Sequence, residues 1–450
     1  MTRAALPVLV AHAGLVATWN LAARPAVTLI WLALGFGALA WAVRRIERAD
    51  RPMRSMRSMV TPFLVVAALL RVVALPLSPT LSDDIYRYVW DGRVIGAGEN
   101  PYLLAPDAAE LESLRDDLWQ SLPHRQVETV YPPLALSVFS IAAGLPAPVY
   151  ALKALLAGVD LVTCWLLLLL CRRLAVPRTR ALWYLWSPLP VLEIAGMGHV
   201  DALGVCAVTA TVLLLVSRPP QALAAAATAA AAILAKLVPL IALPAWARAS
   251  GRPWLFVAAA LGLVAAALAP VGLAASGVPP GYVTFGVSWE FNGPLYEPLW
   301  RLVDRLEVDE LVTSVLDRLK LRSGDHDFWN RFYPFNYPRL LAKLALAAAG
   351  GVALVVVWWR RRHPVEQTGL VFAVLILFSS TVYPWYLLWV LPWAALCRQP
   401  AWLALSATIL VSYWPQFGGG DLMPWAYLAV WAPFFLVSLR YPRWRLAPTD

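Results

Sequence analysis

The stretch TPFLVVAALLRVVALPLSPTLSDDIYRYVW, residues 61–90, passes from a long apolar run directly into two adjacent aspartates. The apolar part approaches the length of about 20 residues that a helix needs to cross the hydrocarbon core of a bilayer. The polar part begins with Asp83 and Asp84 and continues with aromatic and basic residues. This boundary predicts a membrane helix that emerges into a polar loop.

The composition of the whole chain is typical of a polytopic membrane protein. Of the 450 residues, 60% are hydrophobic and 14% are charged, and the mean hydropathy of +0.64 is too high for a soluble globular chain. Long apolar runs predict an all-α bundle, because membrane barrels show only short alternating segments. We predict a single domain over residues 1–450 with about 12–14 membrane helices, several of them short or re-entrant. The predicted spans cover 5–22, 26–43, 58–76, 149–170, 181–195, 199–217, 222–235, 237–247, 254–275, 339–359, 367–380, 383–397, 401–417 and 424–440, and residues 132–144 are predicted as a re-entrant helix.

Arginines lie in short clusters between these runs and indicate the topology. Because basic residues favour the cytoplasmic side, about fourteen crossings with a cytoplasmic N-terminus place every cluster inside, and the C-terminus with them. The same arrangement places two long loops outside, residues 77–131 and 276–338. The clusters lie at 44–57, 172–180, 248–252, 360–362 and 440–445.

Several function classes are disfavoured by the sequence. The net charge of +10 is explained by the topogenic arginines, so no nucleic-acid partner is expected. The four cysteines show no CxxC or Cys/His spacing, so neither a structural disulfide nor a cysteine metal site is expected. The chain has no P-loop and no G-x-G-x-x-G motif, and its inside loops are too short for a nucleotide-sugar domain.

The aspartate pair has a chemical and a structural interpretation. A carboxylate at the membrane boundary stays ionised in the wet headgroup layer, and its neighbours can tune its pKa for general-base catalysis. Arg87 and Arg93 follow closely and have the bidentate geometry that suits phosphate. Alternatively, the pair is a solvated helix start in which aspartate complements the helix dipole. Residue types alone favour neither interpretation.

Eight short motifs, taken in order, resemble the GT-C superfamily of membrane glycosyltransferases. The closest likeness is to bacterial polyprenyl-phosphate-dependent mannosyltransferases, including the glycosyltransferase family 87 type, and it runs from about residue 60 to about residue 395. The motifs are the Asp-Asp pair, YRYVWDGR (86–93), G-x-N-P-Y (98–102), YPPL (131–134), GMGHVDALG (196–204), AKLVPLIALP (235–244), WEFNGPLYEPL (289–299) and YPWYLLWVLP (383–392).

The resemblance implies a bundle of long and short membrane helices whose first extracytoplasmic loop bears the catalytic acid. In the superfamily this acid deprotonates the acceptor hydroxyl while a sugar leaves a lipid phosphate. The role maps onto Asp83 or Asp84, with a slight preference for Asp84. The implied function is transfer of a hexose, most simply mannose, from a polyprenyl-phosphate carrier to a lipid-linked or glycan acceptor. The implied location is a bacterial inner or plasma membrane, with the active site on the extracytoplasmic face.

Further polar residues are candidates for the donor and acceptor sites. Cations are needed to stabilise the leaving phosphate, and the candidates are Arg87, Arg93, Lys236 and His199. Lys236 interrupts an apolar run, where a lysine costs about 2.5–3.5 kcal/mol at mid-bilayer; the alternative is snorkelling to the boundary. The candidates for the sugar or acceptor pocket are Asp91, Asn100, Tyr102, Tyr131, Glu193, Asp201, Glu290, Asn292, Trp385 and Tyr386.

These pocket candidates have ordinary structural alternatives. The alternative for His199 and Asp201 is a polar turn that links two helices, with the histidine hydrogen-bonded to the aspartate. Tryptophan and tyrosine are enriched at membrane interfaces in any case. The metal is unknown: the acidic residues are compatible with a divalent cation, but two ligands alone are a weak metal signal. The second functional hypothesis is a transporter or flippase for a lipid-linked or small polar solute. Transporters favour internal repeats and mid-membrane charges, whereas the polar motifs here cluster at one face and no repeat is visible.

Overall fold

The structure is a computed structural model that describes residues 2–49, 60–274, 277–324, 326, 336–360, 362–422 and 424–446. Throughout these ranges the chain is helical or irregular and contains isolated bridges but no strand. The prediction of an all-α polytopic membrane protein is therefore confirmed. Parts of the arginine clusters at 44–57 and 360–362, and parts of the predicted outer loop 276–338, lie outside the described residues.

Four helices in the described ranges are long and apolar enough to cross a membrane. Eight shorter apolar helices of 10–17 residues accompany them, as expected for a bundle that mixes long and short elements. The four long helices are Pro25–Ala49, Pro148–Arg173, Pro253–Leu273 and Pro338–Trp359.

The helices follow the predicted spans closely at most positions. In chain order they are α1 (Thr2–Ala17), α2 (Pro25–Ala49), α3 (Val60–Ala74), α4 (Asp84–Gly96), α5 (Asp117–Gln120), α6 (Pro133–Ala143), α7 (Pro148–Arg173), α8 (Leu182–Leu185), α9 (Pro188–Pro190), α10 (Asp201–Leu215), α11 (Ala222–Ala235), α12 (Leu243–Ala249), α13 (Pro253–Ala274), α14 (Pro280–Ser288), α15 (Tyr296–Arg305), α16 (Val308–Ser323), α17 (Pro338–Trp359), α18 (Pro364–Phe378), α19 (Leu391–Leu396), α20 (Pro400–Thr408) and α21 (Pro424–Arg440). Short 3₁₀-helices lie at Ala109–Leu114, Arg178–Ala181, Val238–Ala242, Pro384–Trp389 and Ile409–Tyr413, and π-helical turns at Val191–Gly196 and Pro415–Gly419.

The predicted span 181–195 is wrong as a continuous helix. It consists of the short helices α8 and α9 followed by the π-helical turn Val191–Gly196. Pro188 and Pro190 explain the break, because proline lacks the backbone N–H of the helical ladder and clashes with the preceding turn. Such π-helical turns are frequent at functional sites. The break leads directly into the GMGHVDALG motif.

The chain divides into two compact units. The first comprises Met1–Ser288, Arg362–Gly369 and Pro384–Asp450, and the second comprises Trp289–Arg361 and Leu370–Tyr383. The core of the second unit contains Tyr296 on α15 and Ala342 and Leu346 on α17.

A buried ion pair connects three elements of the first unit. Arg71 on α3 donates from Nε to Asp160 Oδ2 on α7 at 2.8 Å, and Tyr184 donates its hydroxyl to Asp160 Oδ1 at 2.7 Å. Arg71 also donates to the carbonyl of Leu185 at 2.6 Å. Both charged side chains are at most 1% exposed, and a buried charge is tolerated only when it is paired and hydrogen-bonded. The cluster therefore fixes α3 and α7 relative to α8.

Lys153 on α7 fixes the chain just before the aspartate pair. Its Nζ donates to the carbonyls of Leu75 and Leu77 at 2.7 and 2.6 Å. These carbonyls follow the C-terminal end of α3, where a cation also interacts favourably with the helix dipole. The segment from α3 to Asp83 is thereby held against α7.

Candidate active site

Asp84 is the first residue of α4 and faces the interior of the first unit. Its side chain is 30% exposed, and its Oδ2 accepts a hydrogen bond from the hydroxyl of Tyr88, one turn further along, at 3.3 Å. Burial raises the pKa of Asp84 to about 7, and the nearby charge of Asp83 adds to this effect, whereas Lys236 opposes it. A carboxyl with a pKa near neutrality suits a general base.

Asp83 differs from its neighbour in its surroundings. It is exposed, whereas Asp84 is partly buried. It occupies the position before the first turn of α4, but its side chain makes no capping hydrogen bond. The charges acting on Asp83 include that of His124, on the far arm of the loop.

His199 is completely buried between two carboxylates. Its Nδ1 lies 3.8 Å from Asp84 Oδ2, and its Nε2 lies 3.3 Å from Glu193 Oε2. The backbone brings the second pair together, because the N–H of His199 donates to the carbonyl of Glu193 at 2.9 Å across the π-helical turn. Tyr413 donates its hydroxyl to the same Glu193 oxygen at 2.8 Å.

Gly198 allows this arrangement. Its φ of +83° lies in the left-handed region, which side-chain-bearing residues rarely adopt. A Cβ at this position would also overlap the side chain of Ile85 on α4. The glycine therefore lets the turn before His199 approach the helix that carries Asp84.

Lys236 forms a second charged cluster with Asp201. Its Nζ lies 2.9 and 3.1 Å from the two carboxylate oxygens, and Trp389 Nε1 donates to Asp201 Oδ1 at 2.6 Å. Lys236 follows the C-terminal end of α11, and its Nζ lies 5.0 Å from the centre of the Tyr386 ring. The lysine is 20% exposed, whereas the aspartate is fully buried.

The turn Pro384–Trp389 supplies three aromatic side chains to this region. Trp385 stacks on His199 with a centroid distance of 3.8 Å and an interplanar angle of 17°. Trp389 packs closely against Gly204 on α10, where a Cβ would overlap its ring. The predicted pocket residues Trp385 and Tyr386 thus lie beside His199 and Lys236.

Arg87 is bound to the loop that follows α4. Its Nε donates to Asp91 Oδ1 at 2.8 Å, and its other nitrogens donate to the carbonyls of Val127 and His124 at 2.8 and 3.3 Å. The hydroxyl of Thr129 donates to Asp91 Oδ2 at 2.6 Å. Arg87 and Asp91 therefore attach residues 124–129 to α4, and Arg87 would have to exchange partners to bind a phosphate.

The remaining candidates in the predicted outer loop, Asn100, Tyr102, Tyr131 and Arg93, also form contacts within that loop or with α4. Asn100 Oδ1 accepts from the backbone N–H of Tyr102 at 3.0 Å, and Tyr102 donates its hydroxyl to the carbonyl of Tyr131 at 2.7 Å. The ring of Tyr131 packs edge-on against Tyr88 at 5.0 Å. Arg93 forms an exposed ion pair with Asp116 at 2.7 Å.

Glu290 and Asn292 belong to the second unit. Glu290 pairs with Arg339 at 2.5 Å and with Lys343 at 3.0 Å. Asn292 is buried, with a φ of +53°, and its Nδ2 donates to the carbonyl of Val382 at 3.4 Å. Within this unit they form a local ion-pair cluster and a backbone bridge.

Three residues of the cluster escaped the sequence analysis as site residues. Tyr88 and Trp389 lie inside the quoted motifs, but only the fold shows that they contact Asp84 and Asp201. Tyr413 lies outside every motif and contacts Glu193 from 220 residues away. No spacing rule connects residues at such separations.

The described residues contain no group of three or more His, Cys, Asp or Glu side chains arranged to hold a metal ion. The predicted candidates that the first unit does bring together are Asp84, His199, Glu193, Asp201, Lys236, Trp385 and Tyr386.

Comparison with known proteins identifies the family. No curated protein and no solved structure matches the chain. A family model does match it, described as the MptA/B family, alpha-(1->6)-mannopyranosyltransferase, N-terminal domain, over residues 1–252. This match confirms the predicted resemblance to GT-C mannosyltransferases of the family 87 type. Since the matched region covers more than half of the 450 residues, this protein belongs to the MptA/B family and is a membrane mannosyltransferase.

Proposed function

We propose that the protein transfers mannose from a polyprenyl phosphate to a lipid-linked or glycan acceptor at the extracytoplasmic face, with Asp84 as the general base. The observation that carries the proposal is the position of Asp84, which is partly exposed and lies at the edge of the cluster that contains His199, Asp201 and Lys236. The alternative of a transporter or flippase loses support because the family is one of enzymes.

Asp84 is a better candidate than Asp83 for the base. With a pKa of about 7, a substantial fraction of Asp84 is ionised at neutral pH, and the carboxylate is a strong enough base to take a proton from a hydroxyl group. Tyr88 holds one of its oxygens, and the partial exposure leaves access for an acceptor. Asp83 is exposed, and its side chain makes no capping hydrogen bond at the start of α4.

Lys236 is the best-supported cation for the donor phosphate. Both oxygens of Asp201 orient its ammonium group, and such preorganised charge stabilises a leaving group without reorganisation cost. The guanidinium of Arg87 also donates to two backbone carbonyls of the loop, and Arg93 forms an exposed ion pair with Asp116. The two ring nitrogens of His199 face the carboxyl groups of Asp84 and Glu193. This environment favours interaction with these two acids over binding of the donor phosphate.

The proposed reaction is a single inverting displacement. The acceptor oxygen loses its proton to Asp84 and forms a bond to the anomeric carbon of mannose, while the bond from that carbon to the phosphate oxygen breaks. The electron pair of the broken bond stays on the polyprenyl phosphate, which leaves as an anion beside Lys236. The phosphate ester already activates the donor, so the enzyme has to supply only a base and cationic stabilisation.

The family description also suggests the linkage. An alpha-(1->6) bond is formed at the primary 6-hydroxyl of an acceptor sugar, so we propose a mannoside with a free 6-hydroxyl as acceptor. Because the chain lacks a nucleotide-binding motif, a lipid phosphate is the fitting donor.

The test supplies purified protein with radiolabelled polyprenyl-phosphate mannose or nucleotide-linked mannose, together with a membrane lipid extract. We expect label to enter an acceptor from the lipid donor only, and Asp84→Asn to abolish transfer while Asp83→Asn retains most of it. No transfer from the lipid donor would contradict the proposed donor, and equal activity of wild type and Asp84→Asn would contradict the proposed base.

A separate test concerns the face of the membrane. Glu110→Cys lies in the predicted outer loop and Arg252→Cys in a predicted inner cluster, and both positions are exposed. An impermeant thiol reagent added to intact cells should label the first and not the second. Labelling of the second alone would reverse the topology and the proposed face.

A further inference from the structure

The imidazole of His199 connects the proposed base to a buried acid. Nδ1 faces Asp84 Oδ2 at 3.8 Å, and Nε2 faces Glu193 Oε2 at 3.3 Å. Neither nitrogen has a formed hydrogen bond within the part of the chain that the structure describes. Trp385 stacks on the ring at 3.8 Å and fixes its plane. The imidazole is therefore aimed at two carboxyl groups but is not saturated by either of them.

The surroundings determine which nitrogen carries the proton. Glu193 is fully buried, and its Oε2 already accepts from the hydroxyl of Tyr413. This oxygen can also accept a hydrogen bond from the N–H at Nε2 of a neutral imidazole, because a carboxyl oxygen has two lone pairs. The second nitrogen is then an acceptor, since a neutral imidazole has one N–H. Nδ1 thus presents a lone pair to Asp84.

We propose that His199, oriented by Glu193 and Tyr413, is a positioning residue that accepts a hydrogen bond from Asp84 once Asp84 has taken the proton of the acceptor hydroxyl. A lone pair facing an ionised carboxylate is mildly repulsive, whereas a lone pair facing a protonated carboxyl receives its O–H. The arrangement favours the protonated product form of Asp84 and so favours proton abstraction. The orientation of a histidine by a buried carboxylate follows the logic of catalytic triads.

Asp84 is also influenced by charged and titratable groups on other elements. Besides His199, these include Lys236, which favours the ionised form of Asp84, and Asp201, which disfavours it. Among the residues that the structure describes, the titratable groups that act on Asp84 are Asp83 and Tyr88 on α4, Tyr131 before α6, His199 and Asp201 around the start of α10, Lys236 after α11, and Tyr413 in the turn Ile409–Tyr413.

The inference rests on the proposed role of Asp84 as base, and its protons balance within that step. The acceptor O–H bond breaks and an O–H bond forms on Asp84, whose proton then points to Nδ1 of His199. No proton leaves the pair during transfer, and none is required from Glu193. After release of the product, Asp84 returns its proton to water through its exposed side.

Two substitutions of His199 separate this role from packing. At position 199, an Asn side chain would place its amide where Nδ1 of the histidine lies, and a Gln side chain would place its amide where Nε2 lies. His199→Asn therefore keeps an acceptor for Asp84, whereas His199→Gln keeps only the contact with Glu193. The measurement is kcat/KM of mannose transfer from polyprenyl-phosphate mannose across the pH range, with donor KM determined separately.

We expect His199→Gln to lower turnover about tenfold or more. The acidic limb of the pH profile, in which kcat/KM falls as Asp84 becomes protonated, should move about one pH unit lower. The direction follows because loss of the acceptor destabilises protonated Asp84 and lowers its pKa. We expect His199→Asn to keep the limb near its wild-type position. Tyr413→Phe should shift the limb in the same direction as His199→Gln but by less, because it only loosens Glu193.

Two outcomes would overturn the proposal. A limb that moves to higher pH in His199→Gln would mean that His199 acts as a cation on ionised Asp84. An unmoved limb with a raised donor KM would mean that His199 contacts the phosphate. Asp84→Asn distinguishes failure of this inference from failure of the proposed function, because activity in Asp84→Asn refutes the base itself. Unfolding temperatures of the purified variants show whether a loss of turnover reflects misfolding.

Discussion

Lys236 Nζ lies within hydrogen-bonding distance of both carboxylate oxygens of Asp201, at 2.9 and 3.1 Å. Asp201 thus orients the ammonium group of Lys236, although the two residues are 35 positions apart in the chain. The lysine remains 20% exposed while its partner is buried, so the ammonium can meet a ligand without losing its counterion. This pair is the basis of the first prediction.

Lys236→Met is expected to lower kcat of mannose transfer about 10²–10³-fold, the usual cost of removing one preorganised group that stabilises developing charge. Lys236→Arg should recover part of the loss. The measurement is initial-rate transfer at saturating polyprenyl-phosphate mannose.

The matched control removes a cation that has an exposed carboxylate partner. Arg398 pairs with Glu47 at 2.7 Å and is 56% exposed, so Arg398→Met should leave kcat within about twofold. Equal losses in Lys236→Met and Arg398→Met would contradict a specific role for Lys236.

The acid limb of the pH profile gives a second prediction. A general base works when deprotonated, so activity should be lost as the pH falls through the pKa of Asp84, which lies at about 7. We expect kcat/KM to rise between about pH 6 and 8 and then to level off. Asp83→Asn removes a charge that raises this pKa, so it should move the limb to lower pH. If kcat/KM of the wild type fell only near pH 4, the prediction that burial raises the pKa of Asp84 would be contradicted.

The sequence predicted most helix positions because membrane helices carry their own signal. The span predicted at 222–235 coincides with Ala222–Ala235, and that at 424–440 with Pro424–Arg440. The prediction of one continuous helix failed at 181–195, where Pro188 and Pro190 interrupt the helix, and at 383–397, which divides into the 3₁₀ segment Pro384–Trp389 and α19. Hydropathy treats both prolines as ordinary members of an apolar run, whereas each of them removes a backbone N–H from the helical ladder.

The sequence indicated which residues belong to the site better than it indicated which side chains they contact. Asp201 and Lys236 were both candidates, but nothing in their spacing indicates that they pair. Arg87 looked like a phosphate ligand because of its position beside the aspartates, yet its donors are directed to Asp91 and to carbonyls of the loop. Such choices depend on the packing of segments far apart in the chain, which single-sequence patterns do not encode.

The buried pair of Arg71 and Asp160 gives a third prediction, about stability. Asp160→Asn should lower the free energy of unfolding by about 3–5 kcal/mol, because it leaves the buried guanidinium without a counterion. Arg398→Gln breaks an exposed ion pair instead and should cost at most about 1 kcal/mol. Thermal unfolding of both variants in the same detergent provides the comparison, and equal unfolding temperatures would contradict the structural role of the buried pair.

The attachment of the outer loop by Arg87 gives the last prediction. Arg87 binds Asp91 and the carbonyls of His124 and Val127, so Arg87→Gln should loosen the attachment of residues 124–129 to α4. We expect faster hydrogen exchange of backbone amides in this part of the loop and transfer lowered about tenfold, because the base lies at the start of the same helix.

The control for this prediction is Arg301→Gln, which breaks an ion pair of the same i,i+4 spacing that is exposed. It should change neither the exchange of residues 124–129 nor the rate of transfer, since surface pairs of this kind contribute little. The alternative role of Arg87 as a phosphate ligand has a different signature. A raised donor KM in Arg87→Gln with unchanged hydrogen exchange in the loop would favour phosphate binding over loop attachment, because a ligand contact can be lost without loosening the backbone.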